Sequence, residues 1–424
     1  MVVFSSVIFL KLFQMISNDT GYILNLTSVL FASFGIGFLF LFLNELTRKK
    51  DFAFFCSIIF SFLPIFLSVT VYAKGHSFAF FYAMIALYYL VKYVNKGKVL
   101  DAILFSLFFL AGLLCRNTNL AYLPAIVGII FYKKINITNL KKLVPVVVTM
   151  IFYFLLRFKN LLYWRGATVF YLENILFMRQ RIVDGLYNSI SFFGFFLIIF
   201  FIYLARYDKE LRKLALFSIL WFIPYFSIII FATNFSVRYL IPVLAPIIMV
   251  MGASISYLFR RKKILGIICL LVLIISFSLK MVPILDFRHQ YCGPKEFAEF
   301  VMENTENDSV IISNDESVFF TYYANRTVIG YSPYPTPAEH RTTILKFIEL
   351  LKSNTSLYVT GAVYYTPIPN DVLNKNFIIE EVGSAVNEEY RHAELNLRTR
   401  IEPLFRIKLN ESLPMSEYVI RGVY

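Results

Sequence analysis

Four side chains are candidates for anion chemistry: Lys74 and His76 in SVTVYAKGHSFAFFYA, Arg116 in GLLCRNTNLAYLP and Arg238 in TNFSVRYLIP. Each sits in a short polar break between two apolar runs, beside Asn, Thr or Ser donors. A cation at the edge of an apolar segment either snorkels to the nearest lipid phosphate or serves a site. Together, three such turns would suit one phosphate held at the depth of the lipid headgroups. RNTN at 116–119 is the sharpest of them, because a polar quartet interrupts two apolar helices.

A further polar stretch, KNLLYWRGATVFYLENILFMRQRIVDG, falls within 159–186. Tyr163, Trp164 and Tyr171 suit an interfacial aromatic belt, and Arg165, Arg179 and Arg181 could pair with phosphates. Glu173 and Asp184 are its only acids. An amphipathic helix on the membrane surface is the favoured reading, and a substrate-facing loop the sharper one. Gly35-x-Gly37 reads as close helix packing rather than a phosphate loop. His289, His340 and His392 lack the spacing and the Cys partners of a zinc site, and neither a P-loop nor G-x-S-x-G is present.

The elements that must position these groups are membrane helices. Hydrophobic residues make up 58% of the 424, well above soluble usage, so much of the surface must face lipid. Ten spans are expected, near 22–46, 53–73, 77–95, 99–115, 119–133, 143–158, 187–205, 213–232, 239–259 and 264–284, with 2–16 a short eleventh candidate. Residues 1–284 hold 28 Lys and Arg against 8 Asp and Glu. Eighteen of those cations fall in alternate turns, at 47–51, 92–98, 132–142, 206–213 and 260–263. The positive-inside rule makes those turns cytoplasmic and the turns of Lys74, Arg116 and Arg238 external. Cations grouped between apolar runs also argue against nucleic acid as a partner. Glu45, Asp51 and Asp101 lie near the cytoplasmic ends, which weakens a proton- or ion-coupled transporter.

The tail from 285 to 424 reverses the charge balance, with 13 Lys and Arg against 19 Asp and Glu. Helical spacing at 295–304, 315–324 and 340–353 alternates with strand runs at 309–313, 327–331 and 356–363, and FIIEEV and PLFRIKLN add further strands. That pattern predicts a small α/β domain outside the membrane. The fold expected is thus an all-α polytopic membrane bundle over 1–284, followed by an extracytoplasmic α/β domain over 285–424. Sequons at Asn18, Asn234, Asn307, Asn325, Asn354 and Asn410 suit an external surface.

LNLTSVLFASFGIGFLFLFLNEL, FSFLPIFLSVTVYAKGHSFAFFYAMIALYYLVKY, GLLCRNTNLAYLP and SVRYLIPVLAP resemble polytopic GT-C glycosyltransferases. The branch is the dolichyl-phosphate-mannose protein mannosyltransferase-like group, which includes aminoarabinose transferases acting on lipid A. The resemblance runs over nearly the whole chain, with loose motifs. It implies transfer of a sugar from a polyprenyl-phosphate-linked donor to a protein, lipid or glycan acceptor on the external face. It also implies that Lys74, His76, Arg116 and Arg238 hold the lipid phosphate. In such enzymes a carboxylate in a long first external loop serves as base. The start MVVFSSVIFLKLFQMISNDTGYILNL instead resembles the segment just before the family's second span, so the first helix and its loop are expected to be missing. Asp19 is the one acid upstream of the first span, and Glu173 and Asp184 are the other candidates for the base. A shortened chain, an inactive homologue and an acid from elsewhere stay open. Two readings of other classes compete: a lipid or polysaccharide flippase, and a non-catalytic scaffold with an external binding domain. Metal requirement, sugar and acceptor identity are not legible.

Overall fold

The computed structural model describes residues 20–70, 75–133, 142–162, 173–231, 237–290, 293–313, 317–331, 337–365, 367–389 and 398–410. The expected segment 2–16 lies outside these. The chain divides into two compact units, Met1–Leu285 with His392–Leu395, and Asp286–Arg391 with Asn396–Tyr424.

The first unit is helical. Its helices are α1 (Thr20–Thr47), α2 (Lys50–Ser61), α3 (Pro64–Thr70), α4 (His76–Lys96), α5 (Val99–Cys115), α6 (Leu123–Tyr132), α7 (Val144–Leu162), α8 (Glu173–Tyr207), α9 (Lys209–Phe231), α10 (Ile241–Arg261) and α11 (Lys263–Gln290). Short 3-10 turns, Asn117–Tyr122 and Val237–Leu240, lead into α6 and α10. Nine of the ten expected spans overlap a single helix, and 53–73 falls across α2 and α3. Among the described residues, five segments are long and apolar enough to cross a bilayer alone: Asn25–Thr47, His76–Lys96, Ser189–Tyr207, Ile241–Arg261 and Lys263–Phe287. α2 and α3 form a broken sixth, bent by 61°. The bend falls before Pro64, where proline cannot continue the preceding helix but can start the next.

The lipid-facing character follows from what stays outside the core. Phe152, Leu155, Leu156, Ile219, Ile223, Ile275 and Leu279 are all exposed. Such density of exposed apolar side chains is what a hydrocarbon solvent requires. Inside, Phe42, Phe60, Phe105, Phe109, Phe217 and Trp221 are essentially inaccessible and form one continuous core. Of the two glycines expected to mark close packing, Gly35 does so, since a Cβ there would fall 2.6 Å from the Phe80 ring, while Gly37 meets open space.

Helix α8 shows how the 159–186 stretch joins its span. It is broken at Ser191, a buried non-glycine residue at φ 61° and ψ 163°. The Gly194 N–H donates to Ser191 Oγ at 3.3 Å, so this serine caps the helix that follows. The residues before the break, from Glu173, are therefore a separate helical segment leading into the span.

The second unit opens with α12 (Gly293–Glu303) and holds a five-stranded sheet. Its strands are β1 (Val310–Ser313), β2 (Thr327–Gly330), β3 (Leu357–Thr360), β4 (Phe377–Glu389) and β5 (Arg398–Leu409), in the order β2-β1-β3-β5-β4. β1 runs parallel to both β2 and β3, while β5 is antiparallel to β3 and β4. The crossovers α13 (Ser317–Tyr322) and α14 (Pro337–Lys352) cover opposite faces. Phe320 of α13 packs with Phe297, Ile311, Tyr358 and Leu404, and Phe347 of α14 with Ile312, Val359, Phe405 and Ile407. Alternate residues of each strand serve alternate faces, as the two-residue period demands. The expected strand at 356–363 stops at Thr360, and α15 (Gly361–Tyr364) and α16 (Pro367–Asn376) then lead to β4.

Candidate functional site

The polar breaks in the sequence become helix ends in the bundle. His76 is the first residue of α4, after Gly75. Arg116 follows α5 in extended conformation, at φ −153° and ψ 130°, and opens the 3-10 turn Asn117–Tyr122. The two side chains, 40 residues apart, meet at 2.7 Å between Arg116 Nη1 and His76 Nε2. A guanidinium can only donate, so Nε2 accepts and the ring proton sits on Nδ1. His76 is buried and Arg116 half-buried.

Three further contacts lock this corner. Asn119, fully buried, donates from Nδ2 to the Ala79 carbonyl at 2.9 Å, fastening the turn after α5 to the first turn of α4. Gly112 makes room for it, because a Cβ there would lie 2.5 Å from Asn119 Nδ2. Asn117 Oδ1 accepts from the hydroxyl of buried Tyr153 on α7 at 3.0 Å. Ser77 and Ser28 join α4 to α1 at 2.8 Å. The Tyr239 ring, on the turn Val237–Leu240, stands 6.5 Å from the His76 ring, and Tyr225 of α9 lies within the electrostatic reach of Arg116.

This corner offers a planar, permanently charged guanidinium oriented by a neutral imidazole, at the positive end of a 21-residue helix. Those features favour a tetrahedral oxyanion, which Arg can engage with two parallel hydrogen bonds. Among the described residues, no three His, Cys, Asp or Glu groups converge as metal ligands.

Of the residues read from sequence, His76 and Arg116 come together. Arg238 lies on the same 3-10 turn as Tyr239, whose ring stands 6.5 Å from that of His76; its side chain lies outside the described residues. Lys74 and Asp19 also lie outside them. Glu173 and Asp184 both sit on α8, with side chains outside the described set. Tyr153, Tyr225, Tyr239, Ser28 and Ser77 escaped the sequence reading. The aromatic three look like ordinary span residues, and only pairing across helices reveals their polar ends.

The basic turns gather at the other end of the same helices. Asp51 accepts from Arg260 Nε and Nη2, both at 2.6 Å, and from Ser256 Oγ at 2.6 Å. Thr47, Lys49, Tyr132, Asp208, Glu210 and Arg260 line a small cleft there of about 60 Å³. The 21 residues of α4 separate this end from His76 by about 30 Å, the thickness of a bilayer's hydrocarbon.

Neither a protein-family model nor a curated protein matches the chain. Solved structures do. ArnT from Cupriavidus metallidurans bound to undecaprenyl phosphate is 11% identical, with a TM-score of 0.57 over 95% of this chain and 87% of that one. The same protein in the apo state gives 11% and 0.56, over 96% and 86%. The chain has the GT-C fold. The Archaeoglobus fulgidus oligosaccharyltransferase is similar at 14% identity and a TM-score of 0.49, over 85% of this chain and 58% of that one. Within this GT-C bundle, the Arg116–His76 corner lies where helix ends, buried polar groups and a cation coincide.

Proposed function

We propose that the chain is a membrane glycosyltransferase that moves a sugar from a polyprenyl-phosphate-linked donor to an acceptor hydroxyl at the extracytoplasmic face. The observation that carries the reading is the Arg116–His76 pair at one end of a GT-C bundle. That the similar ArnT is bound to undecaprenyl phosphate supports a polyprenyl phosphate as the ligand.

The chemistry fits the layout. The acceptor oxygen attacks the anomeric carbon and forms the new glycosidic bond. The bond from that carbon to the phosphate oxygen breaks, and the phosphate leaves with the electron pair. Arg116 stabilises the charge that builds on it, worth a factor of about 10² to 10³ in rate for one well-placed donor. His76 holds the guanidinium in orientation. Lys74 and Arg238 are assigned to the same anion. The acceptor proton passes to a carboxylate, for which Glu173, Asp184 and Asp19 are the candidates of this chain. The α/β unit is assigned to the same external side, and the acceptor is a protein, lipid or glycan.

The test is sugar transfer in proteoliposomes from a synthetic polyprenyl-phosphate sugar. Arg116→Ala should lose at least about 10²-fold in kcat while membrane insertion stays normal, and Arg116→Lys should recover only part, because an ammonium lacks the planar fork. Wild-type transfer by Arg116→Ala would remove Arg116 from the site. Translocation of the lipid-linked sugar with no transfer would make the chain a flippase instead.

A further inference from the structure

At the end of the bundle that carries the basic turns, α1, α2, α10 and α11 leave an open groove of about 480 Å³, within the size range of ligand sites. Its walls are Phe40 of α1, Phe54 and Phe55 of α2, Phe259 of α10, and Ile267 and Leu270 of α11. Phe55 is buried and meets Phe259 edge-on at 5.2 Å, which ties α2 to α10 along the groove. Phe54 and Ile267 are 51% and 45% exposed, so the groove opens toward the hydrocarbon. α11 lies against α10 here because position 266 is glycine; a Cβ there would fall 2.6 Å from Phe259 Cα. Leu270 is about two turns, roughly 10 Å, along α11 from Lys263, so the apolar wall runs that far into the membrane.

The mouth of the groove is positive. Lys50 and Asp51 line it. Asp51 is already engaged by Arg260 and Ser256, which neutralises it and pins the turn 47–51 to the turn 260–263. Glu45 is engaged in the same way by Arg48 and Asn95. Lys50, Lys262 and Lys263 are exposed, and among the described residues they pair with no acid. Lys50 opens α2 and Lys263 opens α11, so the positive ends of two helices add to the same field. Apolar walls below and free ammonium groups above match a molecule with a hydrocarbon chain and an anionic head.

We propose that this groove binds one anionic glycerophospholipid of the leaflet on that side, which the positive-inside rule makes cytoplasmic. An acyl chain lies along Phe54, Phe259 and Ile267, and the phosphate rests on Lys50 within the field of Lys262 and Lys263. Basic clefts between membrane helices on the cytoplasmic side select anionic headgroups in this way. A zwitterionic lipid would bring its own cation into that field, and a free phosphate would leave the walls unfilled. The groove and the Arg116–His76 corner lie at opposite ends of the bundle, so this site stands apart from the transferase reading.

The test is native mass spectrometry of the full chain from nanodiscs holding equal parts phosphatidylglycerol and phosphatidylcholine with the same acyl chains. Wild type should retain phosphatidylglycerol at least about fivefold over phosphatidylcholine, and Lys50→Gln should lose about fivefold, as expected for one lysine at an anionic surface. Lys50→Arg should keep the preference. Ile267→Trp, which fills the groove from an exposed position, should weaken retention likewise. Lys209→Gln, which removes a cation from another basic turn, should leave it unchanged, and so should Arg116→Gln. The thermal midpoint of Lys50→Gln should match wild type, separating lost binding from lost folding. Equal retention of the two lipids, wild-type retention by Lys50→Gln, or an equal loss in Lys209→Gln would overturn the proposal. Displacement of phosphatidylglycerol by polyprenyl phosphate in Arg116→Gln would assign the groove to an isoprenoid chain and overturn it as well.

Discussion

His76 accepts from Arg116 through Nε2, so what matters at this position is an acceptor of the right reach. His76→Leu should cost about tenfold or more in transfer, and His76→Gln, which offers a carbonyl, should lie between it and wild type. A role in packing alone would give both variants the same loss. Gly112 offers a check on how tightly the corner is built. In Gly112→Ala the new methyl would displace the Asn119 carboxamide from the Ala79 carbonyl. A stability loss of about 1–3 kcal/mol is expected in thermal unfolding, the usual cost of overpacking. The polar members of the corner were legible wherever they interrupt apolar runs, as KGH and RNTN do. Tyr153 and Tyr225 were not, because a tyrosine within an apolar run reads as core until a partner on another helix is known.

At the scale of elements, the alternation of helix and strand from 293 to 360 was legible to within a few residues, because β1, β2 and β3 are short and bounded by turn residues. β4 and β5 run much longer than FIIEEV and PLFRIKLN suggested, since they pair with each other beyond their apolar cores. The break at Ser191 was not legible, as nothing in NSISFFGFF marks it. Two side-chain networks make the α/β unit testable. Arg326, 5% exposed, donates to the carbonyls of Met302, Thr305 and Ala324 and so closes the end of α12. Arg326→Ala should destabilise this unit by about 2–4 kcal/mol, because three carbonyls lose their donor. Glu306 is held below the usual carboxylate range: burial works against its charge, but the Tyr358 hydroxyl, its backbone hydrogen bond and Arg406 outweigh it. The Tyr358 phenol is pushed up to about 12 by burial and by Glu306, and so remains the donor. A carboxylate with a lowered folded-state pKa stabilises above the ordinary carboxylate range, and that contribution is lost as pH falls through the folded value. The thermal midpoint of this unit should therefore drop below about pH 4 in wild type, and Glu306→Gln should flatten the dependence.

For the whole molecule, the charge pattern and the bundle agree on two unlike ends, one carrying the basic turns around Asp51 and Arg260, the other Arg116 and His76. Sequence made those ends legible because lipid imposes a charge asymmetry that soluble proteins lack. It could not show that turns 40 residues apart would touch, since helix packing, not spacing, decides that. The orientation itself is open to labelling. In a cysteine-free background, Glu349→Cys should react with an impermeant reagent from outside intact cells and Glu210→Cys should not; the reverse would invert the topology. The account as a whole turns on one contact, a lipid phosphate held by Arg116. Its most direct measure is the affinity of the purified chain for polyprenyl phosphate, read by native mass spectrometry from nanodiscs. Wild type should bind, and Arg116→Gln should bind at least about tenfold more weakly, the loss expected for a charge-assisted hydrogen bond. Equal affinity in the two proteins would contradict the account.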